Sequence, residues 1–167
     1  MMIRPMESAD IPRAAEIHVF GWRSAYRGIV SDEFLFKDFT VAKRMEKFAE
    51  YLAKGEETYV FDDGILKAFL TVGFSRDEDK PDSFNLSGLY VDPLMQGQGI
   101  GSILVDHFEK IAVERGFNDV YLWAFEENKS ARTFYEKHGY TPDGVTKILQ
   151  PHGWKGIRYS KDFGGLT

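Results

Sequence analysis

Cysteine is absent from this sequence. Its absence excludes disulfides, zinc–thiolate sites and a cysteine nucleophile, and it favours a cytoplasmic location. Long apolar runs are missing too, since none approaches the ~20 residues that cross a bilayer. The first residues carry charges throughout, so we expect no signal peptide and no membrane partner.

Positively charged residues are fewer than negatively charged ones. Lys and Arg number 21 against 26 Asp and Glu, and the resulting formal charge of −5 does not favour a nucleic-acid partner. No His, Asp or Glu cluster shows metal-ligand spacing, so we expect no metal. What is present is 43% hydrophobic and 15% aromatic residues over 167 positions, which predicts one globular domain spanning residues 1–167.

The spacing of apolar residues alternates between helical and strand-like stretches. It predicts, in order, a strand, two helices, three strands, a helix, a strand, a helix and final strands. This order is typical of an α/β (α+β) fold, with one mixed central sheet of about six to seven strands and helices on both faces. Asp63 and Gly64 predict a two-residue hairpin turn, and the charged stretch 75–83 predicts a solvated loop.

Three glycines, Gly97, Gly99 and Gly101, stand at alternate positions where an apolar strand gives way to a helix. A helix start exposes unpaired N–H groups, and glycine lets a phosphate approach them, so the turn is a candidate diphosphate site. A tight connection that binds nothing is the alternative. The spacing lacks the lysine of a P-loop, and Ser102 occupies the third glycine position of the dinucleotide fingerprint. An NAD-binding oxidoreductase, with Glu126 on the ribose, therefore stays an alternative.

Two blocks of the sequence resemble the GNAT acyltransferase superfamily. The segment "QGQGIG" (96–101), directly after a strand ending in "VDP", is similar to the family's Gln/Arg-x-x-Gly-x-Gly/Ala signature. The segment "NKSARTFYEKHGY" (128–140) is similar to its Asn-x-x-Ala…Phe-Tyr-x-Lys-x-Gly-Phe/Tyr block. The resemblance covers residues 86–140, and "WRSAYRGIVSDEFL" also resembles the substrate-side segment of one GNAT subgroup.

The resemblance implies a GNAT-like N-acetyltransferase. It would transfer an acetyl group from acetyl-CoA to a primary amine of a small molecule or peptide, by direct attack in a ternary complex. Many relatives carry a glutamate on the strand before the glycine turn, and this chain has none there. A non-catalytic acyl-CoA-binding sensor or partner domain is therefore a second alternative.

The resemblance also implies which residues hold acetyl-CoA. The pantetheine arm would follow the backbone of Leu89 and Val91, with Tyr90 facing the other way, and the diphosphate would lie over the amides of 97–102. Gln96 would shape the turn, Ser102 would add a hydroxyl, and Asn128 would bind the pantetheine amides. The expected cofactor-binding residues are Leu89, Tyr90, Val91, Gln96, Gly97, Gln98, Gly99, Ile100, Gly101, Ser102, Asn128 and Ala131.

Tyr135 is the catalytic residue that the resemblance implies, as the proton donor to the departing thiolate. A phenol suits this role because its ordinary pKa of about 10 lies near that of an alkyl thiol. A buried core tyrosine is the alternative reading. Trp22, Tyr26 and Phe34 are expected on the acceptor side, with an aromatic core stripe as the alternative.

The general base stays open. Glu126, Asp92, His152 or a water held by Tyr26 and Tyr90 are the candidates. The apolar C-terminal strands could also pair two copies into a homodimer.

Overall fold

The computed structural model describes residues 2–149 and 152–164. Within these residues the chain forms one seven-stranded sheet and four α-helices. The strands are β1 (Met2–Pro5), β2 (Glu57–Asp62), β3 (Leu66–Phe74), β4 (Phe84–Val91), β5 (Asp119–Phe125), β6 (Thr141–Leu149) and β7 (Trp154–Asp162). The helices are α1 (Ile11–Ala25), α2 (Val41–Ala53), α3 (Ile100–Glu114) and α4 (Lys129–Lys137).

The strand order in the sheet is β1-β2-β3-β4-β5-β7-β6. Strands β4 and β5 run parallel, whereas β1–β2, β2–β3, β5–β7 and β7–β6 are antiparallel. The sheet is therefore mixed, and the predicted α/β fold with six to seven strands is confirmed. In the described part of the chain, no helix is long and apolar enough to cross a membrane.

The chain divides into two compact units. The first unit comprises Met1–Val72 and Gly88–Leu104, and the second comprises Gly73–Ser87 and Val105–Thr167. The first unit contains α1, α2, the antiparallel strands β1 and β2 with most of β3, the end of β4 and the start of α3. The second contains the start of β4, strands β5 to β7, most of α3, and α4.

An apolar cluster lies in the core of the first unit. It combines one face of α1 with Phe48 of α2 and with side chains of β2 and β3, because the apolar residues of α1 recur at helical spacing. Thr40 caps α2, since its hydroxyl accepts the N–H of Lys43 at 3.4 Å. Packing against side chains of β2 and β3 therefore places α1 and α2 beside the strands of this unit, and Thr40 fixes where α2 begins.

The hairpin between β2 and β3 differs from its prediction. Asp62 pairs with Leu66, so three residues separate the strands, and the register shifts between Phe61 and Asp62. The carboxylate of Asp62 accepts the N–H of Gly64 at 3.0 Å. The two-residue turn was therefore wrong. Phe61 pairs with Ala68 and Asp62 pairs with Leu66, so Lys67 is an extra, unpaired residue of β3 beside the turn.

The charged loop 75–83 of the second unit is held by a buried arginine on β7. The guanidinium of Arg158, which is 3% exposed, bonds both carboxylate oxygens of Asp79 at 2.8 and 2.6 Å. It also bonds Asp77 at 3.0 Å and Asp143 at 2.6 Å. Most residues of the loop are exposed, and the Asp79 side chain is 60% exposed, so the prediction of a solvated loop is confirmed. The local charge pattern did not reveal the arginine that holds the loop, because that residue lies about half a chain away.

Strand β6 forms one edge of the sheet. Its side chains are exposed over most of its length, including the apolar Val145 and Ile148. Pairing of two copies along this edge stays a prediction.

Candidate active site

Asp92 fixes the end of β4. Its carboxylate forms an ion pair with Arg13 and accepts the N–H of Leu94 at 2.8 Å, and its own N–H donates to the carbonyl of Lys67 at 2.8 Å. The side chain is buried, and Pro93 follows it in a short 3₁₀ turn. Asp92 therefore terminates the strand and starts the glycine turn, and its carboxylate is engaged by Arg13 and Leu94.

Two of the three glycines form the turn itself. Gly97 and Gly99 have φ angles of +77° and +79°, in the left-handed region that L side chains rarely adopt. A Cβ atom built on either residue meets no heavy atom within 4 Å. Gly101 instead lies in the first turn of α3, which begins at Ile100. The backbone conformation thus requires glycine at two positions, and both open onto unoccupied space.

The N-terminus of α3 follows directly from this turn. Ile100 and Leu104 are buried and anchor the helix, and Ile103 donates its N–H to the carbonyl of Gly99 at 3.1 Å. The first N–H groups of any α-helix have no carbonyl partner within that helix, and the helix dipole favours negative charge there. An exposed glycine turn that leads into this helix end fits an anionic group such as a diphosphate.

Gln96 and Gln98 flank the first glycine of the turn. The side-chain amide of Gln96 lies 3.5 Å from the carbonyl of Val91, and that of Gln98 lies 3.9 Å from the sulfur of Met95. Both side chains therefore turn back toward the segment before the glycines. Ser102 is half-buried in the first turn of α3.

Tyr90 of β4 packs into an aromatic cluster of the first unit. Its ring stacks on Phe69 at 5.3 Å and lies 4.3 Å from the ring of His18. Its hydroxyl accepts the indole N–H of Trp22 at 3.1 Å. A Cβ atom at Gly88 would lie 3.2 Å from the Tyr90 ring, so a side chain there would push the ring aside by a few tenths of an ångström.

Leu89 and Val91 neighbour Tyr90 on the same strand and are half-buried. Side chains alternate between the two faces of a strand, so Leu89 and Val91 project from the face opposite Tyr90. Tyr90 packs against α1. Leu89 and Val91, which the resemblance places along the pantetheine arm, therefore lie on the other face of β4.

The aromatic residues expected on the acceptor side lie together. Trp22 is 4.7 Å from Tyr26 and 6.0 Å from Phe34 between ring centroids, and it stacks on Phe39 at 4.6 Å. Phe34 begins a short π-helix, in which the N–H of Phe39 donates to its carbonyl at 2.8 Å. Neither this π-helix nor the stacking of Phe39 on Trp22 was predicted from the sequence. The only available signal was the dense aromatic content of the segment, and π-helical turns occur frequently at functional sites.

The second unit contains the remaining predicted residues, all at α4. Asn128 caps this helix, because its side-chain oxygen accepts the N–H of Ala131 at 3.1 Å. Ala131 is half-buried on the first turn. Tyr135 is buried, with its ring 5.2 Å from Phe134 and 5.9 Å from Tyr140. The helix begins at Lys129, so Asn128 precedes it as a cap.

Two further candidates for the base also lie in the second unit. The carboxylate of Glu126 pairs with Lys155 at 2.8 Å, and the ring of His152 stacks on Trp154 at 4.3 Å. Among the residues with described side chains, no group of His, Asp and Glu is arranged to hold a metal ion.

Comparison with known proteins gives a consistent result. Residues 26–140 match the model of the acetyltransferase (GNAT) family. The chain is 30% identical over 152 residues to a probable N-acetyltransferase of Mycobacterium tuberculosis, covering 89% of this chain and 84% of that protein. It is 25% identical over 154 residues to a spermidine N(1)-acetyltransferase of Thermoplasma acidophilum, covering 89% and 94%.

A solved structure has the same fold. The PaiA N-acetyltransferase of Thermoplasma acidophilum, crystallised in complex with coenzyme A, superimposes with a TM-score of 0.73 at 20% identity. The match covers 96% of this chain and 98% of that one.

Proposed function

This chain belongs to the GNAT family of acetyltransferases and uses acetyl-CoA as its acyl donor, and we propose that it acetylates the primary amine of a small molecule or peptide. In this proposal the amine attacks the thioester directly, in a ternary complex. The absence of cysteine supports direct transfer, because the chain has no thiol that could form an acyl-cysteine intermediate.

The observation that carries the proposal is the glycine turn before α3. Gly97 and Gly99 leave the turn open, and the start of α3 supplies amides and a positive dipole end for the diphosphate of acetyl-CoA. We propose that the amides of residues 97–102 bind the diphosphate and that the backbone of Leu89 and Val91 pairs with the pantetheine arm. Asn128 and Ala131 are proposed to contact the same arm.

The chemistry requires two proton transfers. The amine nitrogen bonds to the acetyl carbon and loses a proton, and the carbon–sulfur bond breaks to leave a thiolate that gains one. We propose Tyr135 as the donor to the thiolate, because a phenol is neutral at pH 7 and can give up a proton. A backbone N–H at Leu89 or Tyr90 is proposed to stabilise the negative charge on the thioester oxygen.

The acceptor side is proposed to include Trp22, Tyr26 and Phe34. This proposal is supported by their mutual ring contacts and by the bond between Trp22 and Tyr90, which links them to β4. A cytoplasmic location is also part of the proposal and is supported by the absence of cysteine.

Isothermal titration with acetyl-CoA, followed by detection of free thiol across an amine panel, tests the proposal. We expect saturable acetyl-CoA binding and thiol release that depends on an added amine. Absence of binding at millimolar acetyl-CoA would contradict the acyl-donor site. Tight binding without thiol release for any amine would instead favour an acyl-CoA sensor.

A further inference from the structure

Two polar atoms of the first unit are buried without a hydrogen-bond partner. They are Nε of Arg44, on α2, and Nδ1 of His18, on α1. A buried polar atom without a partner is uncommon in folded proteins, because its desolvation is not offset. Such a pair in one unit calls for an explanation.

Arg44 and His18 share the same two aromatic neighbours. The guanidinium carbon of Arg44 lies 5.3 Å from the ring centroid of Phe39 and 5.6 Å from that of Phe48. The ring of His18 lies 5.1 and 5.9 Å from the same two centroids. Both groups therefore belong to one cluster, which we call the Arg44 cluster: His18, Phe39, Arg44 and Phe48.

The guanidinium of Arg44 has no carboxylate partner among the residues with described side chains. Other arginines of the first unit differ: Arg4 pairs with Asp10 and Asp62, and Arg13 pairs with Glu16 and Asp92. A half-buried cation packed against apolar rings has lost part of its hydration, and an anion bound to it would offset that loss. A guanidinium can bind a carboxylate through two parallel hydrogen bonds.

His18 adds a hydrogen-bonding group without adding charge. Burial among the rings, together with the nearby charge of Arg44, holds the pKa of His18 well below its usual range. The imidazole is therefore neutral at pH 7, so the positive charge of the cluster comes from Arg44. Lys47, whose charge also interacts with that of Arg44, is paired with Glu50 at 2.8 Å.

The Arg44 cluster is continuous with the proposed reaction site. The ring of His18 lies 4.3 Å from that of Tyr90, and Phe39 stacks on Trp22 at 4.6 Å. Tyr90 lies on β4 between Leu89 and Val91, the residues proposed to pair with the pantetheine arm. Arg44 is therefore one ring contact away from Trp22 through Phe39, which places a cation beside the residues proposed to hold the acceptor.

We infer that Arg44, positioned beside His18, binds a carboxylate of the acceptor, so that the substrate is an amino-acid-like amine and not a polyamine. The inference rests on the proposed function and narrows its acceptor class. A polyamine presents only cations, which Arg44 would repel, whereas an amino acid presents one amine to be acetylated and one anion to be bound.

Matched pairs of acceptors test the inference. Thiol release from acetyl-CoA is measured with the common L-amino acids, each beside its neutral carboxamide, and with spermidine. We expect the preferred amino acid to have a kcat/KM at least about tenfold above that of its carboxamide, the range for a hydrogen-bonded charge pair. A preference for the carboxamides or for spermidine would overturn the inference and leave the proposed N-acetyltransferase function standing.

Substitution of Arg44 distinguishes a loss of carboxylate binding from a general loss of structure. Arg44→Gln should lower kcat/KM for the amino acid by about tenfold or more beyond any loss for its carboxamide, with Arg44→Lys recovering part of that difference. Arg23→Gln is the matched control, because Arg23 also lies over a ring (Phe36, 4.7 Å) but donates to the carbonyl of Leu35. Equal losses for amino acid and carboxamide in Arg44→Gln would overturn the inference.

A binding measurement does not depend on turnover. The same amino acids and carboxamides are titrated into protein saturated with coenzyme A, using wild type, Arg44→Gln and Arg44→Met, each first checked for folding by urea denaturation. We expect wild type alone to bind the amino acid more tightly than its carboxamide. Equal binding by wild type would count against the inference, whereas failure to bind coenzyme A at all would count against the proposed function.

Discussion

Replacing Gly99 by alanine separates backbone strain from ligand contact. Gly99 has a φ of +79°, and a Cβ atom there meets nothing within 4 Å. In the free protein the new methyl group therefore touches nothing, and the only penalty is the left-handed backbone, about 1–2 kcal/mol. For a chain of this size that loss corresponds to a fall in Tm of roughly 2–8 °C.

Gly116 offers a matched control. It follows α3, has a φ of +83°, and also has no heavy atom within 4 Å of a built Cβ. Gly116→Ala should therefore lose the same free energy of unfolding as Gly99→Ala. Only the Gly99 methyl group would occupy space that we assign to the diphosphate, so we expect acetyl-CoA affinity to fall at least about tenfold, or ~1.4 kcal/mol, in that variant alone.

Urea denaturation measures the unfolding free energy of both variants, and isothermal titration measures their affinity for acetyl-CoA. Equal affinities in Gly99→Ala, Gly116→Ala and wild type, with the expected strain present in both variants, would refute the assignment. The turn would then be chain geometry alone.

Three further predictions concern other positions. Tyr135→Phe should lower kcat at least about tenfold while isothermal titration shows unchanged acetyl-CoA affinity, and an unchanged kcat would remove Tyr135 from the mechanism. Gly88→Ala should lower the free energy of unfolding by about 1–3 kcal/mol, measured in urea, because the new Cβ would lie 3.2 Å from the Tyr90 ring. The hydrogen bond from Arg158 holds the pKa of Asp79 below its usual value, so its stabilising effect is present above about pH 4 and is lost as pH falls further. Urea titrations over this range should show a shallower decline in Arg158→Met than in wild type, and parallel declines would contradict the assignment.

Much of the fold was readable because it depends on local pattern. The predicted order of strands and helices matches the structure. The apolar segment "DVYLWAF" is β5, and α2 carries Val41, Phe48 and Leu52 at helical spacing. These elements follow from which side chains a strand or a helix can bury on one face. The hairpin turn after Asp62 was misread because a bulge depends on how the partner strand pairs, and not on the turn residues alone.

The candidate site also combines features that the sequence could locate with features that it could not. The glycine turn could be located from sequence, because a left-handed backbone and an open approach both demand glycine at Gly97 and Gly99. The family match then separated the acyltransferase from the dinucleotide-binding alternative that spacing had left open. The π-helix at Phe34 carried no local signal that distinguishes it from a loop or an ordinary helical turn.

By itself, therefore, the sequence determined the element types, the mixed sheet and the turn that leads into α3, since each depends on neighbours a few positions apart. Only the tertiary structure decided that Trp22 bonds Tyr90 and that Arg158 holds the loop 75–83. It also decided that Arg44 lies against aromatic rings, with no counter-charge among the side chains that the structure describes. These are contacts between residues far apart in the chain or are properties of burial. Which partner a side chain meets across that distance depends on how the helices and strands pack. The spacing of residue types along the sequence does not reveal that partner.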